Sequence, residues 1–244
     1  MARYSFEGIE YPSVTQILGI LDKSAALMGW ATKCMKEYFE QNYSADVDPI
    51  MLINDARFKY REVSKEALDI GSAVHNHIEK YIKYGQDVKQ ESIKDEVQNA
   101  FLAFLEWEDK NIKKWVKSEM QICHAGIGYA GTLDAVAELK TGEICVIDFK
   151  SSKGIYDEYR TQIIAYFEAY KNLGNNADCT GILRLDKETG LPEWENHSKI
   201  RGGFEKFYKK EIRFWLSLVD VYYKMKSRRL KNNPIAVKLK EEIK

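Results

Sequence analysis

The run 143-EICVIDFK-150 constrains the fold of this chain more than any other stretch, because an apolar strand ends in a carboxylate and an ammonium. Ile144, Val146, Ile147 and Phe149 describe a strand buried on both faces. A carboxylate left unpaired there is costly. The run is the last of three strand-like segments, after 116-VKSEMQICH-124 and 128-GYAGTLDAVAEL-139. Lys140, Thr141 and Gly142 join the second to the third, and a three-residue hairpin loop favours glycine in its left-handed third position. If Leu139 pairs with Glu143, Asp134 lies opposite Asp148 and Thr132 opposite Lys150, with Cβ atoms about 5 Å apart on one face. A two-residue loop would instead pair Asp134 with Phe149 and put the carboxylates on opposite faces.

Two such aspartates either form an ion cluster with Lys150 or hold a cation. Their buried surroundings favour the cation, and hard oxygen ligands at this spacing suit Mg2+ or Mn2+.

The rest of the chain reads as α/β. Residues 4 to 11 suit a hairpin around Gly8, and Ser13 suits the cap of a helix carrying Val14, Ile17 and Leu18. Helical patterning covers residues 24 to 41, then 50 to 84 with an interruption near Gly71, and 93 to 114. After the meander come a helix over 157 to 172, a strand over 179 to 186 and a long helix over 204 to 230. With four prolines and no repeat or long linker, one continuous domain is expected over residues 1 to 244: a helical part over 1–70, a core over about 71–190 and a helical end over about 200–244.

Charge and cysteine usage narrow the classes. Lys+Arg and Asp+Glu both total 37, yet residues 199 to 244 hold 14 Lys/Arg against 5 Asp/Glu, a solvated helix face or an anion-binding one. Cys34, Cys123, Cys145 and Cys179 form no CxxC pair, which fits a reducing compartment. Neither a signal peptide nor an apolar run of about 20 residues occurs, so a cytoplasmic protein without membrane contact is expected.

Gly131-Thr-Leu-Asp134 followed by Ile147-Asp148-Phe149-Lys150 resembles the signature of PD-(D/E)XK nucleases. Gly71-Ser-Ala-Val-His75 resembles the GxxxH helix of the RecB-type branch, and Gln162-Ile-Ile-Ala-Tyr166 its QxxxY motif. Tyr11-Pro-Ser-Val-Thr15 with Ile17, Leu18 and Trp30 resembles the opening of phage-encoded RecB-like exonucleases and of the mitochondrial genome maintenance exonuclease. The likeness spans Tyr11 to about Tyr170.

That resemblance implies a restriction-endonuclease-like core of helix, three-strand antiparallel meander, helix and strand. It implies metal ligation by His75, Asp134, Asp148 and the Phe149 carbonyl, and a water-activating role for Lys150. Glu119, in the first strand, would hold a second metal or pair with Lys117 or Lys150. Gln162 and Tyr166, four apart on one helix face, would bond the acids, Lys150 or a substrate phosphate, or simply pack on the sheet. His77, about 200° round the helix from His75, reads as exposed or structural. Ser151 and Ser152 are phosphate donors or ordinary loop residues. Trp30, Lys33, Lys36, Tyr38, Phe39, Arg57, Lys59, Arg61 and Lys65 together suit a groove for single-stranded nucleic acid, although residues such as Trp30 and Phe39 are more often core residues. The early cysteine and C-terminal cysteine group of iron-sulfur relatives have no counterpart here, so no cluster is expected.

The expected activity is a Mg2+- or Mn2+-dependent DNA exonuclease, of phage or bacterial type, acting on single strands or duplex ends in recombination or replication. Its partners would be DNA and a recombination or single-strand-binding protein. An endonuclease on the same fold, an inert DNA-binding module and a hydrolase of small phosphoesters are the alternatives.

Overall fold

A computed structural model describes residues 4–85 and 94–227. In chain order the elements are β1 (Tyr4–Phe6), β2 (Ile9–Tyr11), α1 (Val14–Leu18), α2 (Ser24–Asn42), α3 (Pro49–Ala56), α4 (Lys59–Tyr84) and α5 (Asp95–Asn111). They continue as β3 (Ile112–His124), β4 (Tyr129–Leu139), β5 (Ile144–Lys150), α6 (Asp157–Asn172), β6 (Cys179–Leu185), β7 (Pro192–Ser198) and α7 (Phe204–Ser227). Two compact units result: Leu21–Ala73 forms one, and the described parts of Met1–Ile20 and Val74–Lys244 form the other. Residues 228–244, part of the expected basic excess, lie outside the described residues.

The larger unit is an α/β structure around a five-stranded mixed sheet in the order β3-β4-β5-β6-β7. Only β5 and β6 run parallel, joined through α6. A parallel neighbour cannot be reached by a tight turn, so a crossover helix is required. Helix α6 packs along β3 to β6, and α5 against β3, β6 and β7. Ile122, Leu133, Ile147, Ile163, Ile164, Ile182 and Trp215 are fully buried between these layers. The first turn folds as expected: β1 and β2 pair across Glu7 and Gly8, both at positive φ, and Ser13 with Gln16 forms a reciprocal capping box on α1.

The β4–β5 hairpin has the three-residue loop. Gly142 sits at φ 87°, Leu139 N–H donates to Glu143 O at 2.9 Å, and the ladder runs from Glu138↔Ile144 to Ala135↔Ile147. There it stops. Neither the expected Asp134–Asp148 pair nor the Thr132–Lys150 opposition is formed, because the strands part beyond Ala135. Thr132 pairs instead with Gln121 of β3, and its Oγ1 lies 3.0 Å from Tyr4 Oη.

Two expectations about the elements are corrected. Helix α4 runs unbroken through Gly71, and the break falls at Arg57–Phe58. A mid-helix glycine costs only about 1 kcal/mol, which packing readily offsets. Strand β7, in 192-PEWENHS-198, has no counterpart among the expected elements. As an edge strand it pairs on one side only, and its polar, half-exposed residues carry little of the apolar alternation that marks a strand. Among the described residues, no helix is long and apolar enough to cross a membrane.

In the smaller unit, α2 packs on α3, and Trp30 of α2 meets Tyr60 at the start of α4. Asp48 caps α3, its side chain accepting from Ile50 N at 2.8 Å, with Pro49 at the first helical position where its missing N–H costs nothing.

Candidate metal centre

Where β4 and β5 part, Asp134 Oδ2 accepts the Phe149 N–H at 2.7 Å, taking the place of a ladder carbonyl. Its other oxygen, Oδ1, lies 3.6 Å from Nδ1 of His75 on α4. One aspartate therefore bridges a strand and a helix.

Glu119 approaches from the other side. Partners Ser118↔Ala135 and Met120↔Leu133 set it across from Asp134, and its backbone is left-handed at φ 49°. A non-glycine residue held there costs on the order of 1–3 kcal/mol, and such strain concentrates at functional sites. Donor atoms of His75, Glu119 and Asp134 all lie within 4.8 Å of one another. A cation bound at ~2.1 Å holds its ligands up to about 4.2 Å apart, a span that the 3.6 Å between His75 Nδ1 and Asp134 Oδ1 already meets. An imidazole nitrogen with two carboxylates fits Mn2+ as well as Mg2+.

Asp148 does not belong to that trio. It is 1% exposed, and Lys150 Nζ lies 2.5 Å from its Oδ2 as an ion pair without hydrogen-bond alignment. The Lys150 ammonium also rests 4.8 Å from the centre of the Tyr159 ring. Phe149 points the other way, onto Phe104 and Trp115 at 5.8 and 6.5 Å, and the His75 ring meets its edge at 6.2 Å. Its backbone N–H faces β4, where it donates to Asp134. On α6, Gln162 Nε2 donates to Tyr166 Oη at 3.0 Å, and both side chains are buried. Tyr166 comes close because Gly131 has no side chain: an added methyl would lie 2.8 Å from its Cε1.

The acids repel one another's charge. Burial, with the Asp134 charge added, pushes Glu119 up to about 7, and burial pushes Asp148 up to about 6 against the pull of Lys150. Burial works against protonation of His75, but the Asp134 carboxylate carries it up to about 8. Asp134 is also raised by burial, yet His75 and Lys150 together hold it below the usual carboxylate range. Lys150, despite burial, is held above the usual ammonium range by Asp148 and Asp134.

A stability test follows. The folded protein binds the Glu119 proton more tightly than the unfolded chain does, so stability falls as pH rises from 4.5 to about 7. Glu119→Gln removes this loss, stabilising the metal-free protein at pH 8 by about 1–2 kcal/mol after allowing for solvent screening of a half-buried group. Equal urea midpoints for both proteins at pH 8 in chelator would contradict the assignment.

Ser151 and Ser152 line a pocket of about 210 Å3 with Arg184, whose Nε donates to Ser152 O at 2.9 Å. Trp30, Lys33, Arg57 and Arg61 belong to the smaller unit, where Trp30 and Phe39 are half-buried and Lys33 pairs with Glu37 at 3.6 Å. His77 packs edge-on to Phe101 at 4.4 Å, a structural role. Sequence reasoning missed Tyr159 and Glu79, the latter close enough to raise Glu119 further. Tyr159, Gln162 and Tyr166 follow a three-then-four helical spacing that could have revealed the first.

No family model matches the chain, and no curated protein matches it. Among solved structures it is similar to the crystal structure of SSO0001, at 12% identity and a TM-score of 0.28, over 79% of this chain and 87% of that one. So slight a likeness bears on neither fold nor function.

Proposed function

We propose that this chain is a metal-dependent deoxyribonuclease with a restriction-endonuclease-like core, acting as an exonuclease on single strands or duplex ends. The observation that carries the reading is the parting of β4 and β5 at Asp134. It brings a His, two carboxylates and, one strand residue away, a buried Asp–Lys pair to one place. A salt-bridged patch would need neither the strained Glu119 nor an aspartate turned away from the lysine towards a histidine.

His75, Glu119 and Asp134 would hold the divalent cation, which supplies Lewis-acid charge to the scissile phosphate and lowers the pKa of a water. Lys150 presents its ammonium to the attacking water and to the negative charge gathering on phosphorus-bound oxygen. Asp148 and the Tyr159 ring fix where that ammonium points. Gln162 and Tyr166 hold α6 against the acids. In-line attack then leaves a 5'-phosphate end, as in the nucleases the motifs resemble.

End-labelled single- and double-stranded DNA, with Mg2+ or Mn2+, tests this directly. Wild type is expected to degrade linear but not covalently closed circular DNA, and Asp148→Asn to lose at least about 10²-fold of the rate. Equal cutting by both proteins would remove the site assignment, and cutting of closed circles would make the enzyme an endonuclease.

A further inference from the structure

The smaller unit carries a pocket of about 400 Å3 lined by Leu27, Trp30, Tyr60, Arg61, Lys65 and Leu68. That volume lies in the range of ligand sites. The Trp30 and Tyr60 rings meet edge-to-face at 6.3 Å, while Leu27 and Leu68 stand 56% and 69% exposed. Apolar side chains exposed together in this way mark a binding surface.

Its charge pattern says for what. The charged residues lining it, Arg61 and Lys65, are cations one helical turn apart. Among the described residues neither they nor Arg57 has a carboxylate partner. Lys33, Lys36 and Lys59 of the same unit are paired, with Glu37, Glu40 and Glu62 at 3.6, 3.4 and 2.5 Å. Arg57 and Arg61 hold their guanidinium groups 4.4 and 4.5 Å from the Phe58 ring centre, one on each side in sequence. Across Leu21–Ala73, nine Asp/Glu outnumber seven Lys/Arg, so the unit offers a duplex no broad cationic track. It offers a local one beside an aromatic pocket.

We infer that this pocket takes an unstacked base of single-stranded DNA, its ring against Trp30 and Tyr60 and its flanking phosphates on Arg61 and Lys65. The inference rests on the nuclease reading and specifies its substrate class. Aromatic faces accept any base, so the contact selects for single strands rather than for sequence.

Anisotropy of a labelled oligothymidylate, titrated with the full chain in chelator to prevent cleavage, is the test, with cutting of the same oligonucleotide measured separately in Mn2+. Wild-type binding is expected to weaken as salt rises. Arg61→Glu with Lys65→Glu should weaken it more than about tenfold, because two phosphate contacts become repulsive. Trp30→Leu should weaken it about tenfold through lost stacking. Both charge reversals lie at exposed positions, so they read out binding even if Trp30→Leu disturbs folding. Unchanged affinity in the charge variant, or a duplex bound as tightly as the single strand, would overturn the inference. So would self-association of the wild type abolished by Leu68→Asp, which would assign the pocket to a second copy. Unchanged affinity with intact cleavage overturns the pocket alone, whereas the expected binding losses without cleavage by wild type overturn the nuclease reading and leave the pocket standing.

Discussion

Lys150→Ala is expected to lower phosphodiester cleavage by about 10²–10³-fold, the usual loss when one preorganised charge is removed from a developing oxyanion. Binding of Mn2+ should survive, because the donors that meet at the site come from His75, Glu119 and Asp134. The same change leaves Asp148 buried at 1% exposure without its counterion. Breaking a buried pair from one side costs about 3–5 kcal/mol, so the metal-free variant should melt far below wild type at neutral pH. The sign with pH is fixed by Asp148. Its pKa, already raised to about 6, climbs further without Lys150, so lowering the pH through that range protonates the acid and recovers part of the loss. Calorimetric titration with Mn2+ and melting at pH 5 and 8 check both halves. Loss of metal binding together with activity would make Lys150 a structural residue, not a catalytic one.

Gly181→Ala should destabilise the fold markedly although it adds a single methyl group. A methyl built there would lie 1.7 Å from Cη2 of Trp194, whose ring lies across the glycine and meets the Trp107 ring at 4.7 Å. Either the indole swings out and uncovers β6, or the β6–β7 pairing at Gly181↔Asn196 opens. Overpacking of this kind costs about 1–3 kcal/mol, and the upper end applies because displacing the indole also breaks its packing on Trp107. For a chain of this size that lowers the melting temperature by about 6–12 °C. Trp194→Leu in the same chain should recover much of it. A single variant melting with wild type would show that Trp194 leaves the glycine freely.

The β4–β5 hairpin shows why part of the site was legible in residues alone. Its loop length and Gly142 set a register in which side chains alternate with period two, so the placement of Asp134 near Asp148 followed from counting. What counting could not reach is the point where pairing ends. The ladder breaks at Ala135 because a side-chain carboxylate takes the Phe149 N–H, a competition that no period records. The break also decides which acid does what: Asp134 turns to His75 and Glu119, and Asp148 to Lys150. Glu119, the one acid of β3, was a candidate from the residues alone, but its left-handed backbone and its place beside His75 and Asp134 appear only in the fold.

Helix existence, strand order through β6 and the buried apolar runs are local properties, written in propensity and periodicity, and they were readable from the chain in order. The edge strand β7, formed by pairing with β6, the unbroken α4 and the pocket between α2 and α4 are features that local pattern did not reveal. Packing energy overrides weak local preferences there, and only the folded chain shows which preferences gave way. The carboxylate-and-ammonium end of β5 was visible at once, whereas the tertiary structure alone paired Asp148 with Lys150 and gathered Asp134 of β4 with His75 and Glu119.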